Sequence, residues 1–122
     1  MKKYLLFLIT FFLIKSLSAQ KPCSRPEFRQ FDFWLGEWEA FTPNGNKGGD
    51  SKISLILDSC VILEEWTSAN TQQGLIYTGK SFNSDNAASK QWQQTWTDNT
   101  GNTTEFLSGE GSSGKIVYML IK

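Results

Sequence analysis

The 122-residue chain contains no histidine, and that absence removes whole classes of chemistry. Ser-His-Asp and Cys-His nucleophile systems each need an imidazole as base, and the usual zinc sites need one as ligand. No excess of either charge is present: 12 basic residues stand against 12 acidic ones. The basic residues are scattered singly, without a patch or arginine-rich stripe able to neutralise several phosphates, so nucleic acid is not an expected partner. Cysteine is scarce, with two in the chain. The longest apolar run, Tyr4 to Ile14, has eleven residues, whereas a spanning helix needs about 20. Lys15 interrupts it, and no stable membrane anchor is expected.

What that run does fit is a leader. Lys2 and Lys3 form a basic n-region, Tyr4 to Ile14 the apolar h-region, and Ser16-Leu17-Ser18-Ala19 the small residues of a cleavage site. Gln20-Lys21-Pro22 separates Cys23 from the cut, which disfavours a lipoprotein. The expectation is a signal peptide over 1–19 and a secreted or periplasmic mature chain over 20–122, whose 103 residues suit one domain with one core. Cleavage takes Lys2, Lys3 and Lys15 with it, leaving nine basic residues against 12 acidic ones, a net charge of −3 that serves solubility. In an oxidising compartment Cys23 and Cys60 are expected to be bridged, since two cysteines allow one intramolecular pairing. The loop so closed, about 36 residues, is worth something like 3 to 4 kcal/mol on the chain-entropy account.

Ser24-Arg25-Pro26-Glu27 matches a capping box, and Phe28, Phe31 and Leu35 recur at helical spacing, which predicts a short N-terminal helix that Gly36 ends. Beyond it the pattern changes to period two, punctuated by turn chemistry every eight to twelve residues. Strands are expected over Trp34 to Thr42, Ser51 to Leu57, Cys60 to Thr67, Gly74 to Asn83, Gln91 to Asp98, Thr103 to Ser108 and Lys115 to Ile121. The Pro43-Asn44-Gly45-Asn46-Lys47-Gly48-Gly49 stretch reads as a turn. About seven strands of this kind make an antiparallel sandwich or barrel. Trp38, two residues after the glycine that opens the first strand, is a candidate plug for a barrel end.

The fifth strand carries the clearest binding pattern. Trp92, Gln94, Trp96 and Asp98 share one face, placing two indoles around an amide, the composition of a small-molecule pocket. The competing reading is that both indoles are core. Neighbouring Glu64 and Glu65 point to opposite faces of their strand, so they cannot converge on one substrate. Glu64 is the one expected inward, beside Cys60, Ile62 and Trp66.

Three strings in order carry a resemblance: Phe31-Asp32-Phe33-Trp34-Leu35-Gly36-Glu37-Trp38, then Asp58-Ser59-Cys60-Val61-Ile62-Leu63-Glu64-Glu65-Trp66, then Trp92-Gln93-Gln94-Thr95-Trp96-Thr97-Asp98-Asn99-Thr100-Gly101. They resemble an uncharacterised family of secreted bacterial lipocalin-like proteins, with Gly36-Glu37-Trp38 similar to the Gly-x-Trp of such barrels. The resemblance implies an all-β, antiparallel up-and-down barrel with an apolar interior and no assigned activity. It also implies further C-terminal strands, where this chain stops at Met119-Leu120-Ile121-Lys122. The expectation is an incomplete barrel prone to self-association through the uncharged edge strand Lys115 to Ile121. Nitrobindin is a more distant likeness, but Ala40 and Thr42 stand where its signature has glycines and its haem-ligating histidine is missing, so no cofactor and no metal are expected. The function expected is non-enzymatic binding of a small apolar or amphipathic molecule by Trp66, Trp92, Gln94, Trp96 and Glu64. The alternatives are a hydrolase or isomerase with Glu64 and Asp98 as acid and base, or an inactive truncated copy.

Overall fold

Period-two alternation builds the chain into one antiparallel sheet whose strands pair in sequence order. The computed structural model of the chain describes the backbone of residues 19–112 and 115–120 and the side chains of residues 19–107. The leader assigned to 1–19 thus lies, apart from Ala19, outside the described residues. The strands are β1 (Gly36–Phe41), β2 (Lys47–Ile56), β3 (Val61–Gln72), β4 (Leu75–Asn86), β5 (Gln91–Asp98) and β6 (Thr103–Ser112), and the backbone of β7 (Lys115–Leu120) pairs with β6. Among the described residues no pairing joins β7 back to β1. The side chains of β7 lie outside the described residues, and with them the reading of that strand as a sticky edge.

The N-terminal segment departs from expectation. Instead of one capped helix it forms two 3-10 turns, Pro26–Arg29 and Asp32–Trp34. Arg25, not Ser24, is the N-cap, and it makes no side-chain cap hydrogen bond. Two features explain this. Phe31 leaves the helical region at φ −105°, ψ 11°, and Cys23 is held at φ 57° by its bridge to Cys60, which denies the first turn a regular entry. Gly36 then turns the chain into β1 at φ 130°, a conformation open to glycine.

β2 begins at Lys47, four residues before the sequence-predicted start, because Gly49 pairs with Ala40 on one side and Ser68 on the other instead of continuing the turn. The glycine is needed there: a Cβ at Gly49 would sit 2.5 Å from Trp66 Cζ2. The β2–β3 connection is the most strained part of the backbone. Leu57, Asp58 and Ser59 follow one another at φ 50°, 53° and 70°, a left-handed stretch that costs L-residues about 1–2 kcal/mol each. It is held by the Cys60 amide donating to Leu57 O at 3.0 Å, the Arg29 guanidinium donating to Ser59 O, and the Cys23–Cys60 disulfide with its Cα atoms 5.0 Å apart.

Register sorts the side chains into rows on the face that carries the core. One row runs Leu55, Ile62, Asn83, Gln94, Phe106; the next runs Gly36, Ile53, Glu64, Ser81, Trp96, Thr104; a third runs Trp38, Ser51, Trp66, Gly79, Asp98. The N-terminal segment packs over one end of these rows. Phe31, fully buried, clusters with Ile53, Ile62 and Trp92 and stacks on the Trp92 ring at 4.2 Å. Arg25 anchors the segment to β4 through Asp85 at 2.7 Å.

Candidate functional site

A carboxylate ringed by neutral donors lies in the middle rows, beyond the hydrophobic cluster. Antiparallel pairing sets Glu64 of β3 directly between Ile53 of β2 and Ser81 of β4, with Ser51 and Gln94 one step away. Ser81 Oγ donates to Glu64 Oε2 at 2.8 Å, Gln94 Nε2 reaches the same oxygen at 3.5 Å, and Ser51 Oγ donates to Oε1 at 3.3 Å. Burial raises the Glu64 pKa above its ordinary value, and the Ser81 and Ser51 hydrogen bonds offset that only in part.

The direction of the hydrogen bonds is fixed from behind. Asn83, fully buried, donates through Nδ2 to Ile62 O at 3.2 Å and to Ser81 Oγ at 2.8 Å. Gln94 Nε2 also donates to Ser81 Oγ, at 3.0 Å. With both of its acceptor positions taken, the Ser81 hydroxyl has its proton left for the Glu64 carboxylate. The cluster is thus arranged for an ionised acid.

Two half-buried indoles stand in its own register row and the next, and glycines give them room. Trp96 lies across Gly79, where an added Cβ would stand 2.7 Å from both Cε2 and Cη2 and closer still to Cζ2. Trp66 lies across Gly49 in the same manner. Trp96 Nε1 donates to Tyr77 Oη and Tyr77 Oη to Asp98 Oδ2, both at 3.0 Å. Trp66 Nε1 donates to Ser68 Oγ at 3.3 Å. The polar ends of both rings are therefore satisfied within the sheet.

The structure brings together Glu64, Trp66, Gln94 and Trp96 and separates the other candidates from them. Trp92 is 2% exposed, stacked on Phe31, and its Nε1 faces Glu27 O and Gln30 Oε1 at 3.2 Å each. It is core beneath the N-terminal segment, not a wall of the site, because the 3-10 turn that replaced the expected helix folds directly onto it. Trp38 is 48% exposed, so it does not plug an end; its Nε1 donates to Trp34 O at 2.7 Å across the Gly36 bend. Among the described residues Asp98 shares no hydrogen-bond partner with Glu64. Its Oδ1 accepts from the Thr100 hydroxyl at 2.6 Å, the Thr100 amide at 2.9 Å and the Asn102 amide at 3.2 Å, and these bonds, led by the Thr100 hydroxyl, lower its pKa. That is the work of a turn cap, and an acid–base pair with Glu64 is not assembled. Cys23 and Cys60 form the bridge.

Sequence reading missed Ser51, Ser81, Asn83, Tyr77 and the two glycines. Hydropathy on β4 is inverted: Ser81 and Asn83 are fully buried while Phe82 between them is 49% exposed. The signal that does exist is the alternation itself, which puts Tyr77, Gly79, Ser81, Asn83 and Asp85 on one face once Asp85 is known to be buried.

A groove of about 670 Å³ is lined by Glu37, Glu39, Asp50, Lys52, Glu65 and Thr67 together with Trp38 and Ser51. Its charged residues lie on the opposite, outer face, where strand pairing lines up Glu37, Lys52, Glu65 and Lys80 with alternating sign. Lys80 meets Glu65 at 2.6 Å and, with Lys52 nearby, lowers its pKa, while Lys47 pairs with Glu39 at 2.6 Å and Asp50 at 2.7 Å. Such exposed ladders neutralise themselves in water and contribute little. The cluster around Glu64, and not that self-neutralised groove, is the candidate site. No protein-family model, curated protein or solved structure matches the chain.

Proposed function

We propose that the chain is an exported, lipocalin-like barrel protein that binds a small apolar or amphipathic molecule without transforming it. What carries this reading is the placing of two half-buried indoles, Trp66 and Trp96, in the rows beside a hydrogen-bonded polar cluster on the core face. Apolar walls with a few oriented polar groups are the general make-up of a ligand site. Consecutive antiparallel pairing from β1 onward is compatible with an up-and-down barrel. Export is supported by the basic, apolar and small-residue pattern of the first nineteen residues and, indirectly, by the bridge. Against catalysis stands the capped, turn-bound state of Asp98, which leaves Glu64 without an acid–base partner.

The test is titration with N-phenylnaphthylamine, an uncharged apolar fluorophore, followed by its emission. Saturable binding is expected, displaced by dodecanol, and the Trp66→Phe/Trp96→Phe double variant should bind roughly fivefold more weakly, the scale of lost aromatic contact. Trp92→Phe should leave affinity unchanged. Failure to saturate, or equal affinity in the double variant, contradicts the reading.

A further inference from the structure

The charge on Glu64 is the unabsorbed feature of this site. Three donors point at its two oxygens, and all three are neutral: the Ser51 and Ser81 hydroxyls and the Gln94 amide. A carboxylate offers about four acceptor positions, so among the described residues the arrangement leaves one open, on Oε1, which accepts from Ser51 alone at 3.3 Å while Oε2 accepts from both Ser81 and Gln94. Among the described residues Glu64 makes no ion pair.

Among the described residues the cations nearby are committed elsewhere. Lys52 and Lys80 alternate onto the outer face, Arg25 is bound to Asp85, and Arg29 to Asp32 and Ser59 O. The other groups facing Glu64 are Ile53 from β2, Ser81 and Asn83 from β4, and Gln94 and Trp96 from β5, none of them charged; the next row adds Asp98, a second negative charge. A site with this balance repels an anionic head group and attracts a cationic one. The indole faces of Trp66 and Trp96 favour the same sign, because the π-face of an indole is its negative surface.

We propose that Glu64 anchors the head group of the ligand, and that the ligand class is a small amphiphile with a protonated amine at its head rather than a carboxylate. An ammonium donates to the open position on Glu64 Oε1, supplies the missing counter-charge, and lays its chain along the two indoles. The proposal rests on the binding function proposed above and adds its chemical selectivity. Because burial works against the ionised acid, amine binding also draws a proton off Glu64, and affinity for the amine rises with pH until Glu64 is fully ionised.

Calorimetric titration of the oxidised protein with dodecylamine, dodecanol and dodecanoate, each below its micellar concentration, tests it. At neutral pH the amine is expected to bind at least about tenfold more tightly than the carboxylate, with the alcohol between them. Glu64→Gln should bring amine and alcohol affinities together. In the unaltered protein, the ratio of amine to alcohol affinity should fall as pH is lowered, a readout that needs no variant to fold. Dodecanoate binding as tightly as the amine, or an amine preference surviving in Glu64→Gln or at low pH, overturns the head-group assignment while the binder stands. Absence of binding by all three overturns the binding function itself.

Discussion

Gly79→Ala adds a single methyl group and should destabilise the protein, although alanine normally suits a strand better than glycine. The new Cβ would lie within 2.7 Å of Trp96 Cε2 and Cη2 and nearer to Cζ2, so the indole must move as a rigid body. It cannot yield cheaply, since its Nε1 is tied to Tyr77 Oη, itself tied to Asp98. Overpacking of this kind costs about 1–3 kcal/mol, and the lost freedom of the unfolded chain returns about 0.4–1 kcal/mol. A net loss of about 1–2 kcal/mol is expected, seen in urea unfolding as a lower midpoint at unchanged slope. In a Trp96→Leu background the same substitution should be neutral or slightly stabilising, giving a coupling of about 1–3 kcal/mol. Gly79→Ala as stable as the parent, or equally costly without the Trp96 ring, would refute the packing of indole on glycine.

Glu64→Gln should raise stability near neutral pH. A carboxyl whose pKa is raised by folding contributes stability that is fully present below its unfolded pKa and lost as pH rises through the folded one, so parent and variant should converge below about pH 4 and separate above it. A variant less stable than the parent at neutral pH in denaturant melts contradicts this. Replacing Cys23 and Cys60 by serine frees the segment bearing Phe28 and Phe31, and urea melts should show a loss of about 3–4 kcal/mol. Ser59→Gly relieves the φ of 70° and should stabilise by about 0.5–1 kcal/mol; a loss instead would show that the turn is not strained.

How far the sequence foretold this depends on what each residue had to satisfy. β5 matches its expected bounds, Gln91 to Asp98, because turn residues flank it and its alternation is unbroken. The bridge was legible because two cysteines leave one pairing. The N-terminal helix was not: its capping box and periodicity are real in the sequence, but the docking of Phe31 on Trp92 and the tether at Cys23 decide the backbone there. Glu64 was legible as inward from its strand, yet its partners were hidden. Ser81 and Asn83 look like surface residues, and their burial comes from satisfying one another and the acid rather than from hydropathy. The split between Trp92 as core and Trp96 as part of the candidate site follows from which end of the sheet the N-terminal segment covers, and that is a tertiary fact.

The proposed binder is tested most directly by where on the sheet a ligand is held. Photolabelling with a dodecylamine carrying a diazirine in its chain, followed by peptide mapping, reports that place directly. Labels are expected on the β3 and β5 peptides at Trp66 and Trp96, suppressed by excess unlabelled amine. Suppressible labelling on the outer face around Phe82, or at the exposed hairpin residues Leu75 and Ile76, would contradict it.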